Sequence, residues 1–202
     1  MADREGSIYY QSINDFNFDR TFAFLAKEGI SLPNKSKNGK IIALDDVGDD
    51  YEVSYEQVKQ KALNGSLFNV VVWLNYQKKS FLTFYLKDKR FVLEFYLGFL
   101  LQEERDLVSK IFLKLFLSET TSYSKTLLGM FIDKNGQTYE YDFSPVFLTD
   151  SEKVDYVTDL ICLPRKKFDD LVIMRPGFAK KELNNGFVCA SRHPEFLNYV
   201  LS

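Results

Sequence analysis

Three consecutive runs dominate the hydrophobic pattern: Leu67 to Tyr76, Phe81 to Leu86 and Phe91 to Leu100, all rich in β-branched and aromatic residues. Two short polar links, Gln77-Lys78-Lys79-Ser80 and Lys87-Asp88-Lys89-Arg90, separate them. Such runs read as strands. Links this short allow only antiparallel neighbours, because a parallel return needs a crossover of roughly a dozen residues. The pattern therefore predicts a three-stranded meander. The third run is apolar on both alternating sets, with Phe91, Leu93, Phe95 and Leu97 on one and Val92 and Tyr96 on the other. A strand of that kind is expected at the centre of a sheet, covered on both faces.

Helical spacing appears at Phe18 to Lys27, where Phe18, Phe22 and Leu25 recur and Gly29 is placed to end the last turn. Ser54-Tyr55-Glu56-Gln57 fits a capping box opening a second helix, which Asn64-Gly65 stops. Gln102 to Leu117 predicts a third, with a stripe of Leu107, Ile111, Phe112 and Leu115 and with Glu103 and Glu104 in its first turn. Ser118 to Lys125 reads as a polar link, the one candidate subdomain boundary in a chain expected to form a single domain over residues 1–202. Beyond it, Thr126 to Ile132 and Gln137 to Phe143 flank Asp133-Lys134-Asn135-Gly136, a strong hairpin signal.

Ile8 to Tyr10, Ile41 to Leu44, Val157 to Leu163, Leu171 to Met174 and Phe187 to Ala190 read as further strands, and Pro194 to Leu201 as a short terminal helix. The expected fold is α+β: a mostly antiparallel sheet, with the central meander and C-terminal hairpins, packed with three or four helices.

Charge changes the picture by exclusion. With 26 Lys and Arg against 28 Asp and Glu in 202 residues, net charge −2, the chain is not built around a nucleic-acid backbone or an anionic membrane. Its most apolar stretch, Phe91 to Leu101, falls short of the roughly 20 apolar residues a membrane helix needs. The polar N-terminus lacks the pattern of a secretory signal. Cys162 and Cys189 each sit in an apolar run, so reduced, buried thiols in the cytoplasm are expected. The 19 Phe and 12 Tyr fall mostly at core spacing. Five tyrosines near polar segments, Tyr51, Tyr55, Tyr123, Tyr139 and Tyr141, are the ones to examine for function.

Catalytic chemistry is sparse. A single histidine, His193, excludes multi-histidine metal sites, and no phosphate-binding glycine loop, GxGxxG or GxSxG is present. Cys189 and His193 make the one nucleophile–base pair worth stating, with the simpler expectation that Cys189 packs in a strand while His193 precedes the last helix. A triad of His193, a serine and Asp169 or Asp170 has less specificity still. Arg165-Lys166-Lys167, joined by Arg175 and Lys180-Lys181, is a basic cluster interrupted by Asp169, Asp170 and Glu182, and reads as solvated loop charge. No cofactor or metal is expected, and no enzymatic activity.

The opposite cluster, Asp45, Asp46, Asp49, Asp50, Tyr51 and Glu52 with Tyr55 close by, lacks the spacing of a calcium loop and reads first as a solvated loop. It suits recognition of a basic protein partner, because aromatic anchors supply contact area while carboxylates steer encounter. In size, α+β make-up, lack of catalytic residues and local acidic patch, the chain is similar in general character to bacterial immunity proteins, which neutralise a toxin by covering its active site. That likeness implies a small intracellular binding protein. The alternative is a small-ligand protein or enzyme with a carboxylate and tyrosine pocket between sheet and helices, motivated by Glu94 inside the most apolar strand.

Overall fold

The computed structural model describes residues 4–34, 38–75, 77–123, 126–136, 143–149, 158–172, 174 and 176–198. The first half of the chain holds β1 (Glu5–Tyr10), a 3-10 turn at Ile13–Asp15, α1 (Phe18–Lys27), β2 (Ile30–Ser31), β3 (Ile41–Leu44), β4 (Asp50–Val53) and α2 (Tyr55–Leu63). The meander follows as β5 (Phe68–Leu74), β6 (Lys78–Lys87) and β7 (Arg90–Tyr96). Then come α3 (Gln102–Tyr123), β8 (Leu127–Asp133), α4 (Ser144–Leu148), β9 (Leu160–Pro164), α5 (Arg165–Leu171), β10 (Ala179–Glu182), β11 (Phe187–Ser191) and α6 (Pro194–Asn198).

The fold is α+β, an 11-stranded antiparallel sheet with six helices, four of them seven residues or longer, among the described residues. Its strand order is β10-β11-β9-β8-β1-β7-β6-β5-β3-β4, with β2 also paired to β5. The meander is as the hydrophobic pattern predicts. β1 slots between β7 and β8 and joins the two halves into one sheet.

Side-chain alternation gives the sheet two unequal faces. On one, Phe91, Leu93 and Phe95 join Phe84, Val70, Tyr10 and the apolar sides of α1, α2, α3 and α6 in the larger core. Rings dominate it: Phe18 and Phe22 lie 4.4 Å apart and Phe16 and Phe91 4.7 Å apart. The other face carries a smaller core under α4 and α5, where Tyr9 stacks on Phe147 at 4.3 Å. β7 is therefore fully buried on the larger core, but on its second face only Val92 is buried, while Glu94 and Tyr96 are half-buried.

Local chemistry explains where helices begin. Asn17 accepts the Arg20 N–H at 3.0 Å to cap α1. Ser54 and Gln57 form the predicted capping box, with Ser54 Oγ accepting Gln57 N–H at 3.2 Å and Gln57 Oε1 accepting Ser54 N–H at 2.7 Å. Gly129, at φ +145°, lies against β9 so closely that a Cβ would stand 2.4 Å from the Cys162 carbonyl oxygen.

Several expectations are corrected. The supposed link at Ser118 is helical to Tyr123, because the Ser118, Thr120 and Thr121 hydroxyls donate back to carbonyls one turn earlier. Glu119, 1 % exposed, turns inward to Arg20 at 3.6 Å, and burial pushes its carboxyl above the usual range. Leu171 closes α5 rather than opening a strand, since Phe168 and Leu171, one helical turn apart, bury into the smaller core. The Asn135-Gly136 signal does not produce a hairpin on β8, whose two sides are taken by β1 and β9. The proposed second arm lies, but for Phe143, outside the described residues. Cys162 and Cys189 are not reduced: they face each other in register on β9 and β11 and form a disulfide. Such a bond fits a reducing cytoplasm poorly. Among the described residues, no helix is long and apolar enough to cross a membrane.

Candidate functional site

The acidic segment is a hairpin, not a loose loop. Asp45 N–H donates to the Asp49 carbonyl at 3.1 Å, and Gly48 N–H, at φ +90°, donates to the Asp45 carbonyl at 3.0 Å. This is a type I turn closed by a left-handed glycine, a three-residue hairpin loop that favours Asp at its first corner. The Asp45 carboxylate does the rest, accepting N–H groups from Val47 at 3.0 Å and Asp49 at 2.8 Å. Asp45 therefore holds the turn from within. Asp46 and Asp49 are exposed, with no side-chain partner among the described residues.

On β4, alternation puts Asp50 and Glu52 in solvent and turns Tyr51 and Val53 toward the larger core. Lys79 Nζ reaches both Asp50 carboxylate oxygens at 3.1 and 3.3 Å, and Lys40 pairs with Glu52. The Tyr51 hydroxyl accepts from Lys61 Nζ at 3.0 Å, and that ammonium also lies 5.4 and 5.2 Å from the Tyr51 and Phe68 ring centres. Together Leu44, Asp45, Asp46, Tyr51, Lys61, Leu67 and Phe68 line a groove of about 350 Å³. Its apolar margin is open, with Leu67 69 % exposed and Val47, at the hairpin tip, 82 % exposed.

Tyr55 is not part of this groove. It faces α1, where its hydroxyl donates to Asp19 Oδ1 at 3.1 Å, and it lines a second groove of about 320 Å³ with Phe22, Ala23 and Leu32. Burial and then the Asp19 carboxylate push the Tyr55 hydroxyl up to about 12. Hydrogen bonding from Lys59 holds the Asp19 carboxyl below its usual value. Lys61, Leu67 and Phe68 were not expected at the site. Nothing local marks them, because they reach the hairpin from α2 and from β5 and the segment just before it.

Other expected groups go elsewhere. Cys189 is bridged, so the Cys189–His193 pair does not form. His193 Nε2 instead bonds Asp159 Oδ1 at 2.9 Å. Asp169 faces Arg165 at 3.8 Å rather than His193, and Arg165 also pairs with Glu182 at 2.9 Å. Glu94 lies on the face away from α1 and α3, not between the meander and its helices, and accepts the Tyr85 hydroxyl at 3.1 Å. The Tyr123 side chain, Tyr139, Tyr141 and Arg175 lie outside the described residues. Among the described residues, no three His, Cys, Asp or Glu side chains are grouped so as to hold a metal ion. No protein-family model, curated protein or solved structure matches the chain.

Proposed function

We propose that the chain is a non-catalytic protein-binding protein, of the toxin-neutralising immunity type, that meets a basic partner with the β3–β4 hairpin. Asp45, Asp46, Asp49, Asp50, Tyr51 and Glu52 make the contact surface, with Tyr55 on the neighbouring slope. One observation carries the reading: Asp46 and Asp49 stand exposed and, among the described residues, without side-chain partners, on a turn held from within beside an open groove. Carboxylates so placed steer a basic surface inward, and the groove offers apolar area once contact is made. The exposed pairs of Asp50 with Lys79 and Glu52 with Lys40 are each worth about 0–1 kcal/mol, so a partner's cations exchange for them at little loss.

The test is capture from the native host with the wild-type chain and with Asp46→Lys/Asp49→Lys. The wild type is expected to retain a basic protein that the variant releases. Equal retention by both overturns the reading. A second reading, a ligand-binding or catalytic carboxylate at Glu94, is favoured by Tyr85, whose hydroxyl is pushed well above its ordinary value by burial and then by Glu94. It requires Glu94→Gln to abolish capture of a small molecule while the Asp46/Asp49 variant does not.

A further inference from the structure

We infer that the free edge of β4 takes up an extended, basic segment of the partner as an additional strand, so that the sheet continues into the partner. This rests on the acidic hairpin being the contact surface and adds how the contact is made. β4 ends the sheet: β3 pairs with one side, and no strand among the described residues lies on the other.

Hydrogen-bond parity identifies the open groups. Asp45 and Asp49 are a bonded pair, and antiparallel ladders alternate bonded with non-bonded pairs. Ala43–Tyr51 is then bonded, whereas Leu44–Asp50 and Ile42–Glu52 are not. The backbone N–H and C=O groups of Asp50 and Glu52 therefore point away from β3. Each belongs to a residue whose carboxylate is also exposed, so main-chain sites and negative charges coincide along one short edge.

An unpaired edge is a template for another strand, and charge decides which. A second copy of β4 would set carboxylates against carboxylates and is repelled. An incoming strand with Lys or Arg at alternate positions instead places cations opposite Asp50 and Glu52 while its main chain bonds theirs. Lys79 and Lys40, both partly in solvent, give way to it. Asp46 and Asp49 at the tip extend the negative field over the approach.

The experiment uses a fluorescent, end-capped Lys-Val-Lys-Val-Lys-Val peptide, a Glu-Val counterpart, and the Lys-Val peptide N-methylated at alternate residues, which keeps charge and removes strand donors. Anisotropy titration is expected to give saturable binding of the Lys-Val peptide alone, with the N-methylated form weaker by about tenfold or more, the loss of one to two hydrogen bonds. Asp50→Pro, whose missing N–H faces solvent, is expected to weaken binding well beyond Asp50→Asn. Amide exchange at Asp50 and Glu52 slows on binding, while Tyr51, already bonded to β3, does not change.

Equal binding of the N-methylated peptide, or binding without protection at Asp50 and Glu52, overturns edge pairing and leaves the acidic-surface reading intact. No binding of the Lys-Val peptide up to about 1 mM overturns it as well. So does self-association that Lys180→Glu on β10 abolishes, since the occupant is then a second copy. Partner capture by the Asp46/Asp49 variant fails or succeeds separately from all of these.

Discussion

Two regions of the sheet, the Asp159 cluster beside β9 and β11 and the β3–β4 hairpin, are built to opposite rules. Around Asp159, beside β9 and β11, the polar groups are buried and paired within the protein. Asp159, 1 % exposed, accepts Asn135 N–H at 3.2 Å and Asn135 Nδ2 at 2.9 Å and bonds His193, while its backbone carbonyl accepts the Ser191 hydroxyl. Lys134, 4 % exposed, reaches Asp106 at 2.8 Å, and the Cys162–Cys189 bridge ties the two strands. At β3–β4 the ion pairs stand in solvent, and the Asp46 and Asp49 carboxylates have no side-chain partner among the described residues. Buried polar groups must find partners inside the protein, so such a network fixes one arrangement. Exposed pairs contribute little and are easily exchanged. The Asp159 cluster is closed to solvent, whereas the β3–β4 hairpin is open to it.

The largest effect expected from breaking this contrast is at the Cys162–Cys189 bridge. For a sequence separation of 27, reducing the bridge should lower unfolding free energy by about 3.5 kcal/mol through loop entropy of the unfolded chain. Urea denaturation with and without reductant measures it, and amide exchange should quicken in β9 and β11 but not in β3 and β4. Equal stability in both conditions would mean that packing alone holds β9 to β11. Next, Ser54→Ala removes the capping box between β4 and α2 and should cost about 1 kcal/mol by the same denaturation assay.

The smallest effect concerns Asp19, which joins α1 to α2 through Tyr55 and Lys59. Its folded pKa is held down by Lys59, so its contribution is present above the ordinary carboxylate value of about 4 and is lost as pH falls through the lower folded value. Lys59→Ala should raise the Asp19 titration midpoint seen by NMR. A midpoint that does not move would show that Lys59 is not what holds the Asp19 carboxyl down.

Much of this was legible locally. The capping box at Ser54, the helix from Phe18 and the antiparallel meander all follow from neighbours within a few residues. The acidic residues were legible as a cluster, but their roles were not. Only the turn geometry separates Asp45, which serves the hairpin, from Asp46 and Asp49, which face outward. Tyr55 follows Tyr51 by four residues yet serves a different groove, because the capping box between them redirects the chain. Ser118 to Tyr123 looked like a link since hydroxyls count as polar, although they satisfy themselves on the helix backbone.

By itself, the sequence determined the antiparallel meander, the helices opening at Phe18, Tyr55 and Gln102, the aromatic core and the scarcity of catalytic groups. These depend on periodicity and composition, which adjacent residues carry. Tertiary structure decided that β1 joins the two halves, that Cys162 meets Cys189 and that β4 is an edge strand. Those are properties of which apolar faces are buried together across long separations, and no short window of sequence contains them.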